Sequence, residues 1–265
     1  MEPFHFASGR VPLLVSMPHV GTHLPDAIAD GFALEARPLP DTDWHLPRLY
    51  NFIAALGASV LIATHSRYVI DLNRDPTGKP LYPGASNSEL CPTTLFSDAA
   101  IYLRGREPDV QEIDTRRRTL WEPYHRRLSD ELQRLRAEHG IALLLDAHSI
   151  KSEVPRFFSG RLPDLNLGTA DGGSADPTLA SGLLALCAAE TRYSSVLDGR
   201  FKGGYITRQY GLPSAGIHAV QLEIAERIYM DEAPPFQFDE SLAETLRPLL
   251  RAFVGTMLAW AEARR

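Results

Sequence analysis

The sequence predicts an α/β fold in which a mixed, mostly parallel sheet lies between layers of helices. Short apolar segments alternate along the chain with longer segments whose apolar residues recur at helical spacing. Three apolar segments, at residues 11–17, 141–146 and 216–224, have the length and composition of buried strands. The 265 residues suffice to bury a core without disulfides, and we expect a single domain over residues 1–265.

The first elements follow from apolar runs and helical spacing. They are a strand at residues 11–17, a helix at 41–57 and two further strands at 60–64 and 68–72. Gly57 is typical of a residue that ends a helix. Residues 75–95 are rich in Pro, Gly and Ser, and they predict a long loop.

The same criteria apply to the second half of the chain. They predict a helix at residues 109–139, a strand at 141–146 and a long loop at 158–174. A helix at 176–191, a strand at 216–224 and a final amphipathic helix at 241–264 follow. Pro123 predicts a kink or division in the first of these helices. Asp176 followed by Pro177 is typical of a helix N-terminus.

Composition excludes several classes of function. The net charge of -6 gives no reason to expect nucleic acid or an anionic membrane as a partner. The 2 cysteines lie far apart, which disfavours a disulfide framework or a thiolate zinc site. We see no signal peptide and no apolar run of the roughly 18 residues that a membrane span needs, so we expect a cytoplasmic protein.

Polar side chains follow the predicted strands at the points where the strands end. They are His19, Asn73, Arg74, His148 and Glu223. Functional residues of α/β sheets lie beyond the carboxyl ends of the strands, so these side chains can converge on one site.

Two imidazoles and one carboxylate suit a catalytic zinc ion, which takes three protein ligands and leaves the fourth position to water. Zinc brings the pKa of such a water to about 7. A separate carboxylate must then accept the proton and pass it to the leaving nitrogen. His19 and His148 are the candidate histidines, and Asp41 and Asp43 are acids at the start of the first predicted helix.

Structural roles stay open for each of these residues. Asp41 and Asp43 suit a helix N-terminus, where free N–H groups and the helix dipole favour acids. Glu223 could pair with Arg227, because an unpaired buried charge is costly. The helix at residues 109–139 carries arginines that predict a solvated face, namely Arg116, Arg117, Arg118, Arg126 and Arg127.

The sequence DLNR at residues 71–74 suggests a site for a carboxylate. Asn73 offers an amide and Arg74 a planar guanidinium, and together they match a bidentate contact with a carboxylate. The alternative is that Arg74 pairs with a structural acid such as Asp71 or Asp75.

Seven ordered segments resemble the N-formylglutamate amidohydrolase (deformylase) family, over about residues 11–232. The segments are SMPHVGTHLP, DTDWHLPRLY, SRYVIDLNRDP, LLLDAHSI, LPDLNLGT, FKGGYITRQYG and AVQLEIAERIYMDE. The family is similar in fold to the zinc carboxypeptidases, and DLNR, AHS and QLE occur here in the order of that larger group. The resemblance implies a zinc-carboxypeptidase-like (phosphorylase/hydrolase-like) domain.

The resemblance also implies an activity, the metal-dependent cleavage of N-formyl-L-glutamate to formate and glutamate in histidine degradation. His19 and His148 correspond to the two zinc-binding histidines. The carboxypeptidases carry their acidic ligand three residues after the first histidine, but that position here is Thr22. We therefore assign the acidic ligand to Asp43, with Asp41 as the alternative.

The remaining roles come from the same resemblance. Glu223 corresponds to the general base, and Asn73 and Arg74 correspond to the carboxylate-binding pair. Further contacts with the small-molecule substrate are assigned to Arg67, Tyr205 and Arg208. Zinc is the expected cofactor, although cobalt, manganese or nickel accept similar ligands.

Two rival functions use the same residues. One is a zinc amidohydrolase of the same fold that acts on another N-acyl amino acid or a short peptide. The other is a non-catalytic protein that binds an acidic amino acid through Arg74. The combination of His19, His148 and Glu223 counts against the second.

Overall fold

A computed structural model describes residues 1–81 and 87–264 of the chain. Its seven strands are β1 (Phe4–Ala7), β2 (Leu13–Met17), β3 (Ser59–Ala63), β4 (Ala142–Ile150), β5 (Leu165–Gly168), β6 (Ser195–Leu197) and β7 (Ile217–Ala225). They form one sheet of order β1-β3-β2-β4-β7-β5-β6. The pairs β1·β3 and β5·β7 are antiparallel, and the other neighbours are parallel. The predicted mixed, mostly parallel sheet is therefore confirmed.

Helices of very different length connect these strands. They are α1 (Asp26–Ala29), α2 (Leu46–Leu49), α3 (Val110–Arg116), α4 (Glu122–His139), α5 (Pro177–Ala189), α6 (Tyr205–Tyr210) and α7 (Glu240–Glu262). A π-helical segment, Arg117–Trp121, joins α3 to α4 just before Pro123. Short 3-10 helices lie at Leu34–Ala36, Ala54–Leu56, Pro213–Ala215 and Glu226–Ile228. Within the described part of the chain, no helix combines the length and apolarity needed to cross a bilayer.

The sheet separates two apolar cores. Helices α2, α5 and α7 pack on one face, and α4 and α6 pack on the other. Successive residues of a strand point to opposite faces, so Leu13 and Val15 enter the first core while Leu14 enters the second. The sheet thus lies between layers of helices, and its central strands are buried on both faces.

Strands β4 and β7 lie side by side in the middle of the sheet and position the polar residues. On the face that α4 and α6 cover, their apolar side chains end at Leu144 and Ala219, and polar side chains then continue the same alternation. The register pairs Asp146 with Gln221 and His148 with Glu223. Strand β4 runs on to Ile150, so His148 lies within the strand rather than at its end.

The predicted helix at residues 41–57 is wrong over most of its length. The structure has only α2 and the 3-10 turn Ala54–Leu56. The backbone N–H of Asp43 donates to His19 O at 3.1 Å, and His45 has a φ of 63°. Both features hold the start of the segment outside a helix and place it against the end of β2.

The predicted strand at residues 68–72 is also wrong, because this segment turns beneath other elements. Its buried carbonyls accept hydrogen bonds from the side chains of Tyr102, Arg116 and His125 instead of from a neighbouring strand. Arg116 is consequently buried, contrary to the predicted solvated face.

Three strands and two short helices were absent from the prediction. Strand β5 lies inside the predicted loop at residues 158–174, while β1, β6, α1 and α6 lie where no element was predicted. The remaining helices and strands agree with their predicted positions within a few residues, and Asp176 caps α5 by accepting from Thr178 N. Of the predicted loop at residues 75–95, the part at 82–86 lies outside the described residues.

Candidate metal centre and substrate cavity

Three side chains from separate parts of the chain meet at the carboxyl edge of the sheet. His19 follows β2, His148 belongs to β4, and Asp43 lies in the turn before α2. One potential ligand atom from each lies within 4.8 Å of the other two. All three residues are buried. The folded chain therefore brings together the two histidines and the acid that were predicted as ligands.

Carboxylates fix the orientation of both imidazole rings. Asp71 Oδ1 lies 2.7 Å from His19 Nε2, and Asp146 Oδ2 lies 3.1 Å from His148 Nε2. His19 Nε2–H can donate to Asp71, and in both rings the nitrogen that faces Asp43 is Nδ1. The Nδ1 to Asp43 Oδ2 distances are 3.7 Å for His19 and 2.9 Å for His148.

This arrangement suits a metal cation. A histidine ligand commonly donates its other ring N–H to a carboxylate, as His19 can to Asp71, and Asp146 lies near the same nitrogen of His148. Asp43 Oδ2 lies near both Nδ1 atoms, and Asp43 Oδ1 is buried without a hydrogen-bond partner among the described residues. Two imidazole nitrogens and such a carboxylate are a donor set that a divalent transition metal accepts.

Charge–charge interactions in this cluster outweigh burial. Burial alone would raise the pKa of Asp43, but His19 and His148 hold it well below its usual range. Burial alone would lower the pKa of His148, but Asp146 and Asp43 raise it. These interactions favour the ionised form of Asp43.

Glu223 lies on β7 beside His148 and faces the same cavity. Gln221 holds it, since Gln221 Nε2 donates to Glu223 Oε2 at 3.0 Å and Gln221 Oε1 accepts from Gly204 N at 2.7 Å. Burial, reinforced by Asp43, raises the pKa of Glu223 to about 7. A carboxyl group with such a pKa can both accept and return a proton near neutral pH.

Asn73 reaches the histidines because a glycine lies against it. A Cβ at Gly204 would be 2.3 Å from Asn73 Nδ2, so only glycine fits there. Asn73 Oδ1 accepts from Ile206 N at 2.8 Å, which directs the amide nitrogen toward Asp146 and His148.

A cavity that is open to solvent lies above these residues. Its walls include three arginines, Arg67, Arg74 and Arg200, and three phenylalanines, Phe96, Phe157 and Phe201. His19, Asn73, His148 and Glu223 also line it. A cavity with so many guanidinium groups favours an anionic ligand.

Three other candidates lie apart from this group. Asp41 Oδ2 accepts from Phe96 N at 2.9 Å, so Asp43 rather than Asp41 lies with the histidines. Tyr205 packs on Trp121, and Arg208 Nε donates to Gly203 O at 2.9 Å. Neither Tyr205 nor Arg208 is among the described residues that line the cavity. Their assignment to the substrate stays a prediction.

Four residues at the site had no functional role in the prediction, namely Asp71, Asp146, Gln221 and Arg200. Three of them had a detectable signal. Asp71, Asp146 and Gln221 each lie two residues before a predicted site residue, and in β4 and β7 this spacing places side chains on one face. Arg200 lies in a loop and had no such signal.

Known proteins resemble this chain over almost its whole length. The sequence pattern of the family described as N-formylglutamate amidohydrolase matches residues 11–230. The N-formylglutamate deformylase of Pseudomonas aeruginosa is 54% identical over 263 residues, which cover 99% of this chain and 98% of that protein. The N-formylglutamate deformylase of Pseudomonas putida is 52% identical over 259 residues, covering 98% and 97%.

Solved structures show the same architecture. The crystal structure of N-formylglutamate amidohydrolase from Ralstonia eutropha JMP134 superposes with a TM-score of 0.80 at 26% identity, covering 99% of this chain and 98% of that chain. A gene product from Agrobacterium tumefaciens gives a TM-score of 0.76 at 18% identity, covering 99% and 97%. The second similarity concerns the fold alone.

Proposed function

Because the chain belongs to the N-formylglutamate amidohydrolase family, we propose that it hydrolyses N-formyl-L-glutamate to formate and L-glutamate. One observation carries the proposal. The buried group His19, Asp43 and His148 lies beside Glu223 in a cavity lined by arginines. A hydrolytic centre and a receptor for an anion therefore share one cavity.

His19 Nδ1, His148 Nδ1 and an oxygen of Asp43 would hold a metal ion, for which zinc is our first choice. Cobalt, manganese or nickel would accept the same donors. When bound, such an ion polarises a carbonyl oxygen and makes water a nucleophile near neutral pH. Asp71 and Asp146 keep the two imidazoles in the tautomer that this ligation needs.

Glu223 acts as the proton carrier in this proposal. Its carboxylate takes a proton from the attacking water, and the new C–O bond forms at the formyl carbon. The same carboxyl group then returns the proton to the glutamate nitrogen as the C–N bond breaks. The pKa of about 7, the result of burial, suits both halves of the transfer.

Arginines stabilise the negative charges of substrate and transition state. Asn73 and Arg74 bind the α-carboxylate, since both line the cavity next to His148. Arg67 lies at the cavity wall with its Nη2 2.8 Å from Asp71 Oδ2, and its fixed charge faces the oxygen that becomes negative during attack. Tyr205 and Arg208 take no part in this assignment.

The test is product release by purified protein from N-formyl-L-glutamate and from N-acetyl-L-glutamate, each with and without a chelator. We expect formate release that the chelator stops and added zinc restores. Release of acetate but not formate would assign the enzyme to another N-acyl amino acid. Binding of N-formyl-L-glutamate without any turnover by zinc-loaded protein would leave only a binding function.

A further inference from the structure

The wall of the cavity carries one arginine whose role the reaction above leaves unassigned. Arg200 follows β6 in a loop and lines the cavity together with Arg67 and Arg74. N-formyl-L-glutamate carries two carboxylates, so it needs two cationic partners outside the reacting centre.

Arg67 is committed to neighbouring acids. Its Nη2 donates to Asp71 Oδ2 at 2.8 Å, its Nη1 lies 3.7 Å from Asp43 Oδ1, and its side chain is only 7% exposed. Its charge balances two buried carboxylates of the metal centre. It is therefore a poor receptor for a carboxylate that arrives with the substrate.

Arg74 is bound mainly by neutral oxygens. Its Nε and Nη2 donate to Ser88 Oγ, and its Nη1 donates to Asn73 O at 2.9 Å. Asp71 Oδ2 is more distant, at 3.9 Å from Nη1. Arg74 thus brings positive charge to the cavity directly beside Asn73, which touches His148.

Arg200 lies beyond an aromatic wall. The guanidinium of Arg67 lies 4.9 Å from the ring centroid of Phe96, whose ring is 4.9 Å from that of Phe157. On this wall the guanidinium of Arg200 lies 5.6 Å from the Phe157 centroid. Two aromatic rings therefore separate Arg200 from the arginine of the metal centre.

The guanidinium plane of Arg200 is fixed before any ligand arrives. Its Nε donates to Phe157 O at 2.6 Å, and it also stacks 5.3 Å from the centroid of Phe201. Aromatic faces favour a guanidinium group, and a guanidinium stacked on them makes its hydrogen bonds in its own plane. Such a group loses little conformational entropy when it binds a carboxylate.

We propose that Arg200 binds the side-chain carboxylate of the substrate and so selects an acidic N-formyl amino acid; this inference rests on the function proposed above. In N-formylglutamate the α-carboxyl carbon is two bonds from the amide nitrogen, and the side-chain carboxyl carbon is four bonds away. The α-carboxylate accordingly belongs to Arg74 near the metal centre, and the more distant carboxylate belongs to Arg200.

The experiment pairs a change in the enzyme with a change in the substrate. Formate release is measured for wild type, Arg200→Gln and Arg74→Gln, with N-formyl-L-glutamate, N-formyl-L-glutamine and the α-amide of N-formyl-L-glutamate. Arg156→Gln is the control, since Arg156 lies 5.5 Å from the same Phe157 centroid but is not among the described residues that line the cavity.

Arg200→Gln should lower kcat/KM for N-formyl-L-glutamate by roughly 10- to 100-fold, as expected for lost hydrogen bonds to a charged group. It should change kcat/KM for N-formyl-L-glutamine by less than about 3-fold. Arg74→Gln should instead remove the preference for N-formyl-L-glutamate over its α-amide. Arg156→Gln should behave as wild type. If Arg200→Gln lowered kcat/KM by the same factor for N-formyl-L-glutamate and for N-formyl-L-glutamine, the assignment would be overturned.

Two further measurements keep the result decisive. Circular dichroism checks the fold of Arg200→Gln. Arg200→Lys keeps the charge and should recover part of the preference for N-formyl-L-glutamate over N-formyl-L-glutamine. Binding of glutarate, a dicarboxylate that cannot be hydrolysed, should weaken about 10-fold in Arg200→Gln. Unchanged glutarate affinity would contradict the role of Arg200, whereas absent formate release by wild type would contradict the proposed function.

Discussion

Two pairs of histidines in this chain have the same spacing and different surroundings. The ring centroids of His19 and His148 are 4.8 Å apart, and so are those of His23 and His65. His19 and His148 each follow a predicted strand, and so does His65, so position after a strand does not by itself separate the two pairs. In the part of the chain that the structure describes, only the first pair belongs to a group of three potential metal ligands.

The acids around each pair make the difference. Asp43 lies between His19 and His148, and Asp71 and Asp146 hold the outer ring nitrogens. His65 instead has a hydroxyl neighbour, with Thr64 Oγ1 2.9 Å from its Nδ1. Two imidazoles in contact are therefore not enough for a cation site. The acids between and behind His19 and His148 complete a group that could hold a metal ion.

The largest expected effect separates the two pairs directly. His148→Ala should lose bound zinc on dialysis, with a loss of formate release of more than 100-fold, since loss of outer partners alone costs about 10- to 100-fold. His65→Ala should retain both zinc and activity. Metal content and turnover are measured on the same samples. Equal zinc loss in the two variants would remove the distinction between the pairs.

Glu223 is assigned to proton transfer and not to metal binding, and a substitution can separate these two roles. Glu223→Gln should lower kcat by about 10²- to 10⁴-fold and leave zinc bound, because the amide cannot accept a proton. Glu226→Gln is the matched control, since burial raises the pKa of Glu226 and the amide mimics its protonated form. If Glu223→Gln lost its zinc, Glu223 would be a ligand.

The carboxylate behind His148 has a smaller expected effect. Asp146→Asn should weaken zinc binding by about 10- to 100-fold, because the amide orients the imidazole less well and lowers its basicity. Thr64→Val removes the corresponding neighbour of His65 and should leave zinc affinity unchanged. Competition with a chromogenic chelator gives both affinities. An unaltered affinity in Asp146→Asn would limit Asp146 to a structural role.

The smallest effect concerns stability at the second pair. Burial, then the charges of His23 and the N-terminal amine, lower the pKa of His65 from 6.5 to about 4. Above pH 6.5 the ring is neutral in both states, and as the pH falls toward 4 only the unfolded chain gains the proton. The free energy of unfolding therefore decreases over this interval, by less than about 1 kcal/mol after solvent screening.

Urea unfolding of wild type and His65→Gln at about pH 7 and about pH 5 measures this contribution. The variant should lose less stability than wild type between the two pH values. The same loss in both proteins would show that His65 takes up its proton in the folded chain.

Much of the site could be predicted from the sequence because strand geometry is strict. Side chains of a strand alternate between the two faces of a sheet, and β4 and β7 are parallel neighbours. His148 and Glu223 therefore reach the same edge of the sheet independently of the loops. Asp43 was assigned through family resemblance, and the structure places it with both histidines although the helix expected around it is largely absent.

The errors arose where tertiary contacts override local pattern. Residues 68–72 have strand-like composition, but side chains of α3, α4 and a distant loop satisfy their carbonyls. The position of Arg200 depends on how the loop after β6 packs on Phe157, which no periodicity encodes. Tyr205 and Arg208 are not among the described residues that line the cavity, and their assignment to the substrate stays a prediction.

The most direct test of the account is a zinc titration of metal-free protein, with bound zinc and formate release from N-formyl-L-glutamate followed together. The account predicts no release without metal, a linear rise with bound zinc, and saturation at one zinc per chain, with His148→Ala showing neither binding nor activity. Full activity in the metal-free protein, or equal zinc binding by His148→Ala, would contradict a metal centre at His19, Asp43 and His148.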